Sequence, residues 1–477
     1  MTTSPDPRLS RGALVALVVG SMIGSGIFAL PAAFGRATGV LGALIAWAIA
    51  GTGMLMLAFV FQTLSRRRPD LETGIYAYAK AGFGNYLGFS SAFGYWIACC
   101  LVDVACLVLI KSTLGMFFPV FGDGTTLTAI LGASAILWGF HFLVLRGVKQ
   151  AAALNTIASV AKIVPLAVFI VIAIAGFRVD VFALNFWGSD APSVGDVFAQ
   201  VRNTMLVTVF VFVGIEGASV YSRYARKRSD VGIATVLGFL GVLALLVLVT
   251  MLSYGALLRP DLAALQPPSL AGVMEALVGR WGTVFISVGL LISVLGNYLS
   301  WSLLAAEVLH SAASNDTMPS FLAGENRHSV PSAALWTTNI AIQAFLVVTH
   351  FAEYAFTLAL KMTGAMTLIP YLLVAAYGLK IAWTRETYAA DPAGRDRDVA
   401  VAALAVAYAL AMLYSAGPKF LLLSALLYAP GTVLFVMARR QHGARVFASL
   451  PERVAFGMMA AAAVAGLCGL VSGAISV

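Results

Sequence analysis

Charged residues are scarce in this chain. Asp, Glu, Lys and Arg make up 11% of its 477 residues, where a soluble globular chain carries roughly a quarter. A water-exposed surface of this size cannot be covered with so few charges. The soluble classes are excluded, nucleic-acid binders among them, despite a net charge of +9. Cysteine is also rare: Cys99, Cys100, Cys106 and Cys468 all lie in apolar runs, so no disulfide-framed ectodomain is expected. No paired CxxC, HExxH or nucleophile–base motif occurs, so neither a metal, a cofactor nor an enzyme is expected. GxxxxGK[ST] is missing too, which argues against ATP-driven transport. Loops longer than about 20 residues are lacking, so no soluble domain fits anywhere. The short alternating segments of an outer-membrane barrel do not appear either.

What the chain has instead is apolar length, with 60% of positions from the AVILMFWYC set and a mean hydropathy of +0.92. A helix crossing hydrocarbon needs about 20 mainly apolar residues. Thirteen stretches qualify: 12–34, 39–64, 86–117, 127–145, 151–176, 198–221, 232–258, 280–312, 331–350, 352–382, 399–416, 418–438 and 454–476. These predict an all-α polytopic membrane protein whose large partner is the lipid bilayer. The tail 1–11 lacks a signal-peptide pattern and is expected to be cytoplasmic. With the N-terminus inside, 21 of the 30 Lys and Arg residues fall on the inner side and seven on the outer. That asymmetry predicts a cytoplasmic N-terminus and an external C-terminus in a bacterial inner membrane.

Two spans are interrupted. Span 1 contains Gly20-Ser21-Met22-Ile23-Gly24-Ser25-Gly26 with Pro31 following, and span 6 contains Val213-Gly214-Ile215-Glu216-Gly217. Each glycine weakens a helix by about 1 kcal/mol, and unwound backbone in a membrane belongs in a cavity or a protein interior. Glycines also serve as packing faces between helices. However, breaks five spans apart, one bearing a carboxylate, are what an inverted repeat would place around a substrate. A broken helix offers N–H groups to a carboxylate and free carbonyls to an ammonium group, which together suit an α-amino acid backbone.

Ionisable residues inside spans cost about 2.5–3.5 kcal/mol each at the centre of a helix. Asp103 lies deep in span 3 and shares a face with Tyr95 and Cys99. It should attract a substrate cation, or else an internal lysine. Glu216 sits at the span 6 break, and Lys162 lies in mid-span 5, where it could work in coupling or pair with a carboxylate. Lys111 is expected to snorkel to the interface, and Glu307 and His310 to be interfacial. Lys361 falls inside span 10 with both readings open. Trp301 stands among Gly296, Asn297, Ser300 and Ser302 and is a candidate cavity wall.

The stretch 18–34, VVGSMIGSGIFALPAAF, resembles the amino acid–polyamine–organocation superfamily, specifically its basic amino acid/polyamine antiporters. The stretch from Phe212 to Ala218, the segment 296–331 and Leu368-Ile369-Pro370-Tyr371 are similar to that family's helix 6 break, helix 8 with its loop, and helix 10. The thirteenth span is similar to arginine/ornithine antiporters. The resemblance implies the five-plus-five inverted-repeat (LeuT-like) transporter fold. Helices 1–5 (12–176) and 6–10 (198–382) would form the repeats, 399–477 would be peripheral, helices 1 and 6 would be broken, and a homodimer is implied.

The resemblance also implies roles. Ser25 and Gly26 would offer N–H groups to the substrate carboxylate, while the carbonyls of Met22, Phe210 and Val213 would take the α-ammonium. Trp301 would pack on the side chain and gate, and Tyr95, Glu216 and Tyr371 would form the gate nearer the cytoplasm. Ala98, Cys99 and Cys106 would line the side-chain pocket, and Lys162 would fill the place of a sodium ion. Phe210 departs from a tryptophan, Cys106 from a methionine and Asp103 from an asparagine. A carboxylate at 103 suits a monocationic side chain, bidentately for arginine and as a point charge for ornithine. The expected activity is electroneutral arginine/ornithine exchange by alternating access. Proton-coupled cationic amino acid symport and lysine/cadaverine or ornithine/putrescine exchange are the alternatives. A channel is disfavoured by the two substrate-shaped breaks.

Overall fold

The structure is a computed structural model that describes residues 11–71, 75–122, 124–189, 193–216, 228–351, 354–388 and 391–475, without the side chains of 13, 17, 148–161 and 228–231. Helices make up almost all of it, and no strand occurs among the described residues. The first half runs α1 (Arg11–Met22), a 3-10 turn (Ser25–Ala29), α2 (Leu30–Ala37), α3 (Val40–Arg67), α4 (Ile75–Phe83), α5 (Asn85–Gly115), α6 (Leu127–Leu145) and α7 (Val148–Ala175). The short α8 (Val179–Leu184) leads to α9 (Val194–Phe212), α10 (Arg228–Ala256), α11 (Arg259–Ala264), α12 (Ser269–Val278) and α13 (Arg280–Ser314). The chain closes with α14 (Ser332–Val348), α15 (Ala355–Thr384), α16 (Arg395–Gln441) and α17 (Leu450–Val471).

Among the described residues nine helices are long and apolar enough to cross a membrane. The pair Leu14–Met22 and Ser25–Ala37, bent by 42°, makes a tenth. The thirteen apolar stretches account for the difference. The 47-residue α16 contains two of them, joined at Gly417, whose φ of 72° and ψ of 169° break the helix ahead of Pro418. The stretches at 151–176 and 198–221 correspond to α7 and α9, while Gly217 and the basic residues Arg223, Arg226 and Lys227 lie outside the described residues.

Burial ranks the helices. The apolar window of α5 is 100% buried, whereas that of α17 is 6% buried. The helix carrying Tyr95, Cys99 and Asp103 therefore runs through the centre, packed on α13 and α15, and the sides of α17 are exposed. Only Glu452 and Gly466 of α17 are buried. Glu452 accepts hydrogen bonds from the Tyr86 N–H at the start of α5 (3.1 Å) and from the Ala448 N–H (2.7 Å). The outermost helix is thus tied to the origin of the innermost. Glu452→Ala leaves two N–H groups without this acceptor and should destabilise the protein by on the order of 3 kcal/mol. The check is a lower thermal midpoint in detergent with substrate affinity unchanged.

The end of the bundle carrying Arg66, Arg67, Arg68 and Lys80 is closed by cross-links. Arg67 donates to the carbonyls of Thr387, Asp391 and Ala393 and stacks 3.9 Å over the Tyr388 ring. Arg68 holds the Asp70 carboxylate at 2.8 Å and keeps it below the ordinary carboxylate range. His310 lies 3.3 Å from the Glu325 carboxylate, and Glu307 is exposed. Lys111 departs from expectation. It is buried and donates to Thr349 Oγ1 at 3.1 Å, because α14 ends against it and supplies a partner that snorkelling would forfeit.

Candidate functional site

The two interrupted spans meet. After α1 the backbone of Gly24 is extended (φ −121°, ψ −150°), and the chain resumes as the buried turn Ser25–Ala29. The first N–H groups of such a turn have no acceptor within it. After α9, Val213 leaves the helical region (ψ 130°) and Gly214 takes φ of 109°. A Cβ on Gly214 would stand 2.8 Å from the Ser21 carbonyl oxygen, so both the conformation and the approach require glycine. Ser21 Oγ lies 2.9 Å from both the Val18 and the Gly214 carbonyl oxygens, fastening one break to the other. Gly26 is equally tight, since a Cβ there would lie 2.7 Å from Val211 Cγ1 and 2.9 Å from the Phe210 ring.

Between the breaks lies a cavity of about 20 Å³, lined by Ser21, Met22, Gly24, Ser25, Gly26, Val102, Phe210, Val211, Val213, Asn297 and Trp301. It holds one water molecule at most. An amino acid therefore enters only when side chains or half-helices move apart.

Toward the basic end, Glu216 closes the floor. Tyr95 Oη of α5 donates to its Oε1, Tyr371 Oη of α15 donates to its Oε2 at 2.6 Å, and the Gly214 N–H is 3.2 Å from both oxygens. Three elements thus converge on one buried carboxylate, which links the helix 6 break to α5 and α15. Lys162 of α7 is buried and donates to the Gly20 carbonyl at 2.8 Å, with Asn297 Oδ1 at 3.5 Å. The side-chain amide of Asn297 in turn donates to Cys106 Sγ at 3.4 Å. One lysine and one asparagine therefore connect the end of α1 with α5, α7 and α13.

Asp103 is 0% exposed, and neither of its carboxylate oxygens has a hydrogen-bond partner among the described residues. Lys162 donates to the Gly20 carbonyl, and among the described residues no cation pairs with Asp103. An unpaired buried carboxylate is costly unless something supplies the missing charge.

Of the residues singled out in the sequence, Met22, Ser25, Gly26, Phe210, Val213 and Trp301 share the cavity. Tyr95, Glu216 and Tyr371 form the hydrogen-bonded floor. Ala98, Cys99, Asp103 and Cys106 are buried on α5 but do not line the cavity, which Val102 reaches instead. Sequence reasoning flagged Gly24 only as part of the break and missed Asn297 and Val102. Asn297 is visible in the sequence only as a neutral polar residue in mid-span near Trp301, which does not by itself mark a role.

A family model described as amino acid permease matches residues 9–441. The chain belongs to the amino acid permease family. This agrees with the resemblance carried by the motifs of helices 1, 6, 8 and 10. Among relatives of the permease, the arginine/ornithine antiporter of Pseudomonas aeruginosa is 53% identical over 479 residues, covering 99% of each chain. The L-lysine transport protein of Corynebacterium glutamicum is 40% identical over the whole length of both chains. Among solved structures, MhsT in complex with L-phenylalanine matches 87% of the permease and 100% of its own chain, with a TM-score of 0.59 at 14% identity. The permease therefore has the LeuT-like inverted-repeat transporter fold expected from its sequence.

Proposed function

We propose that the protein exchanges external L-arginine for internal L-ornithine by alternating access. The observation that carries this reading is Asp103, buried without a partner among the described residues, one residue from Val102 in the wall between the two breaks. The turn at Ser25 and Gly26 takes the α-carboxylate, and the carbonyls of Met22, Phe210 and Val213 take the α-ammonium. Asp103 answers the side-chain cation once the site opens, with Ala98, Cys99 and Cys106 beside it and Trp301 as the lid. Tyr95, Glu216 and Tyr371 form the inner gate. The basic end faces the cytoplasm, so the N-terminus is inside and the C-terminus outside. The two repeats are 12–176 and 198–382, the remaining helices are peripheral, and the functional unit is a homodimer in the bacterial inner membrane. The name of the Pseudomonas relative supports the substrate pair.

Arginine and ornithine each carry one net positive charge, so one-for-one exchange does no work against the membrane potential. Vesicles loaded with ornithine should take up labelled arginine at a rate unaffected by an imposed potential. Equal uptake into empty vesicles would rule the exchange out.

The contact of Lys162 with Gly20 favours one second reading, a proton-coupled symporter in which this lysine gains and loses the proton. A pH gradient driving uptake into empty vesicles, abolished in Lys162→Met, would select it.

A further inference from the structure

A second and larger cavity lies on the outer side of the broken-helix site. It measures about 220 Å³ and sits between the first turns of α2, the outer half of α9, Pro267 and the start of α15. Its place follows from the helices: Ala29 is three residues beyond Gly26, Val207 one turn before Phe210, and Lys361 ten residues outward from Tyr371. At 1.5 Å per residue, those ten residues set Lys361 about 15 Å from the inner gate. Phe210 lines the inner cavity, three residues along α9 from Val207 in the outer one.

The chemistry of this antechamber is one-sided. Its lining includes two cations, Arg36 and Lys361, with Asn203 and Thr357, and among the described residues it holds no carboxylate. Arg36 donates to the carbonyls of Ala263 (2.8 Å) and Leu265 (3.1 Å), which position it without neutralising it. The half-buried Lys361 has no ion-pair partner among the described residues and lies 5.7 Å over the Phe420 ring, which Lys419 also approaches at 5.7 Å. A concave site lined by one sign of charge concentrates the opposite sign.

We propose that this antechamber takes the α-carboxylate of an incoming amino acid on Lys361 and Arg36, and thereby selects carboxylate-bearing monocations over the decarboxylated amines of the same side chains. The proposal rests on the reading of the protein as a cationic amino acid exchanger. A dicationic amine gains nothing from two cations, whereas an amino acid can present its carboxylate to them and turn its side-chain cation away, toward Asp103. The outer site filters for the carboxylate, and the inner site reads the side chain.

The first test needs no transport. Thr357→Cys is built with Cys468→Ser, since Cys99, Cys100 and Cys106 are buried. It is labelled at low ionic strength with an anionic and a trimethylammonium thiosulfonate of similar size. The anionic reagent should react faster by about tenfold, and Lys361→Gln should bring the ratio close to one. Arginine should protect the cysteine and agmatine should not. The second test is exchange into ornithine-loaded vesicles. Lys361→Gln should raise the KM for external arginine about fivefold, strengthen agmatine as a competitor relative to arginine, and leave the KM for internal ornithine unchanged. Labelling indifferent to reagent charge overturns the proposal. Protection by acetate or chloride but not by arginine reduces the cavity to a site for simple anions and also overturns it. Charge-selective labelling with arginine protection, in a wild type that exchanges nothing, would sink the exchange reading while the antechamber stands.

Discussion

Asp103→Asn is expected to weaken arginine binding by about 30- to 1,000-fold, measured by calorimetric titration of the purified protein. The magnitude is that of losing one partner of a desolvated charge pair, about 2–4 kcal/mol, at 1.4 kcal/mol per factor of ten. The ligand-free protein should respond with the opposite sign. Asp103 is fully buried and its oxygens have no hydrogen-bond partner among the described residues. Replacing the carboxylate with a neutral amide of the same shape therefore relieves an uncompensated charge, and the unliganded thermal midpoint should hold or rise. A carboxylate held in a structural ion pair behaves otherwise: its amide variant loses stability and keeps its affinity. Unchanged arginine binding would move Asp103 out of the site.

Much of this arrangement could be read from the sequence because a membrane makes polar residues informative. In hydrocarbon a charge or an unwound turn needs a reason, so Asp103, Lys162, Glu216 and the glycines at 24, 26 and 214 stood out against an apolar background. The helix boundaries followed from span length, including the separation of the 399–416 and 418–438 stretches, which the non-helical Gly417 divides. Partnership was not legible. Lys111 and Lys162 are both lysines in apolar runs, and only the neighbouring helices decide that one meets Thr349 and the other Gly20. Asn297 shows the same limit. Its amide works between Lys162 and Cys106, residues 135 and 191 positions away in sequence. A neutral side chain carries no insertion cost large enough to announce such a role. The outer antechamber was equally hidden, because Arg36 and Lys361 lie 325 positions apart and meet only as lining of one cavity.

Glu216→Ala should abolish exchange by unfastening the inner gate rather than by removing a substrate contact. The wild-type carboxylate accepts from Tyr95, Tyr371 and the Gly214 N–H, and all three donors are buried. Hydrogen bonds to a charged group contribute about 1.5–3 kcal/mol each, so their joint loss exceeds the few kcal/mol that separate the states of an alternating-access cycle. The inner-closed state then loses its population, and the outer site with it, since both cannot be open at once. Cys99 reports the change directly. It is buried on the same face of α5, one turn from Tyr95, with no path to solvent while the tyrosines meet Glu216. In Glu216→Ala it should become reactive to a membrane-impermeant maleimide applied from the cytoplasmic face and remain protected from the outside. Glu216→Gln keeps an acceptor for one tyrosine and should fall between the two in both exchange rate and Cys99 labelling. Wild-type exchange in Glu216→Ala, or loss of exchange with Cys99 still protected from the cytoplasm, would show that the carboxylate does not hold the gate.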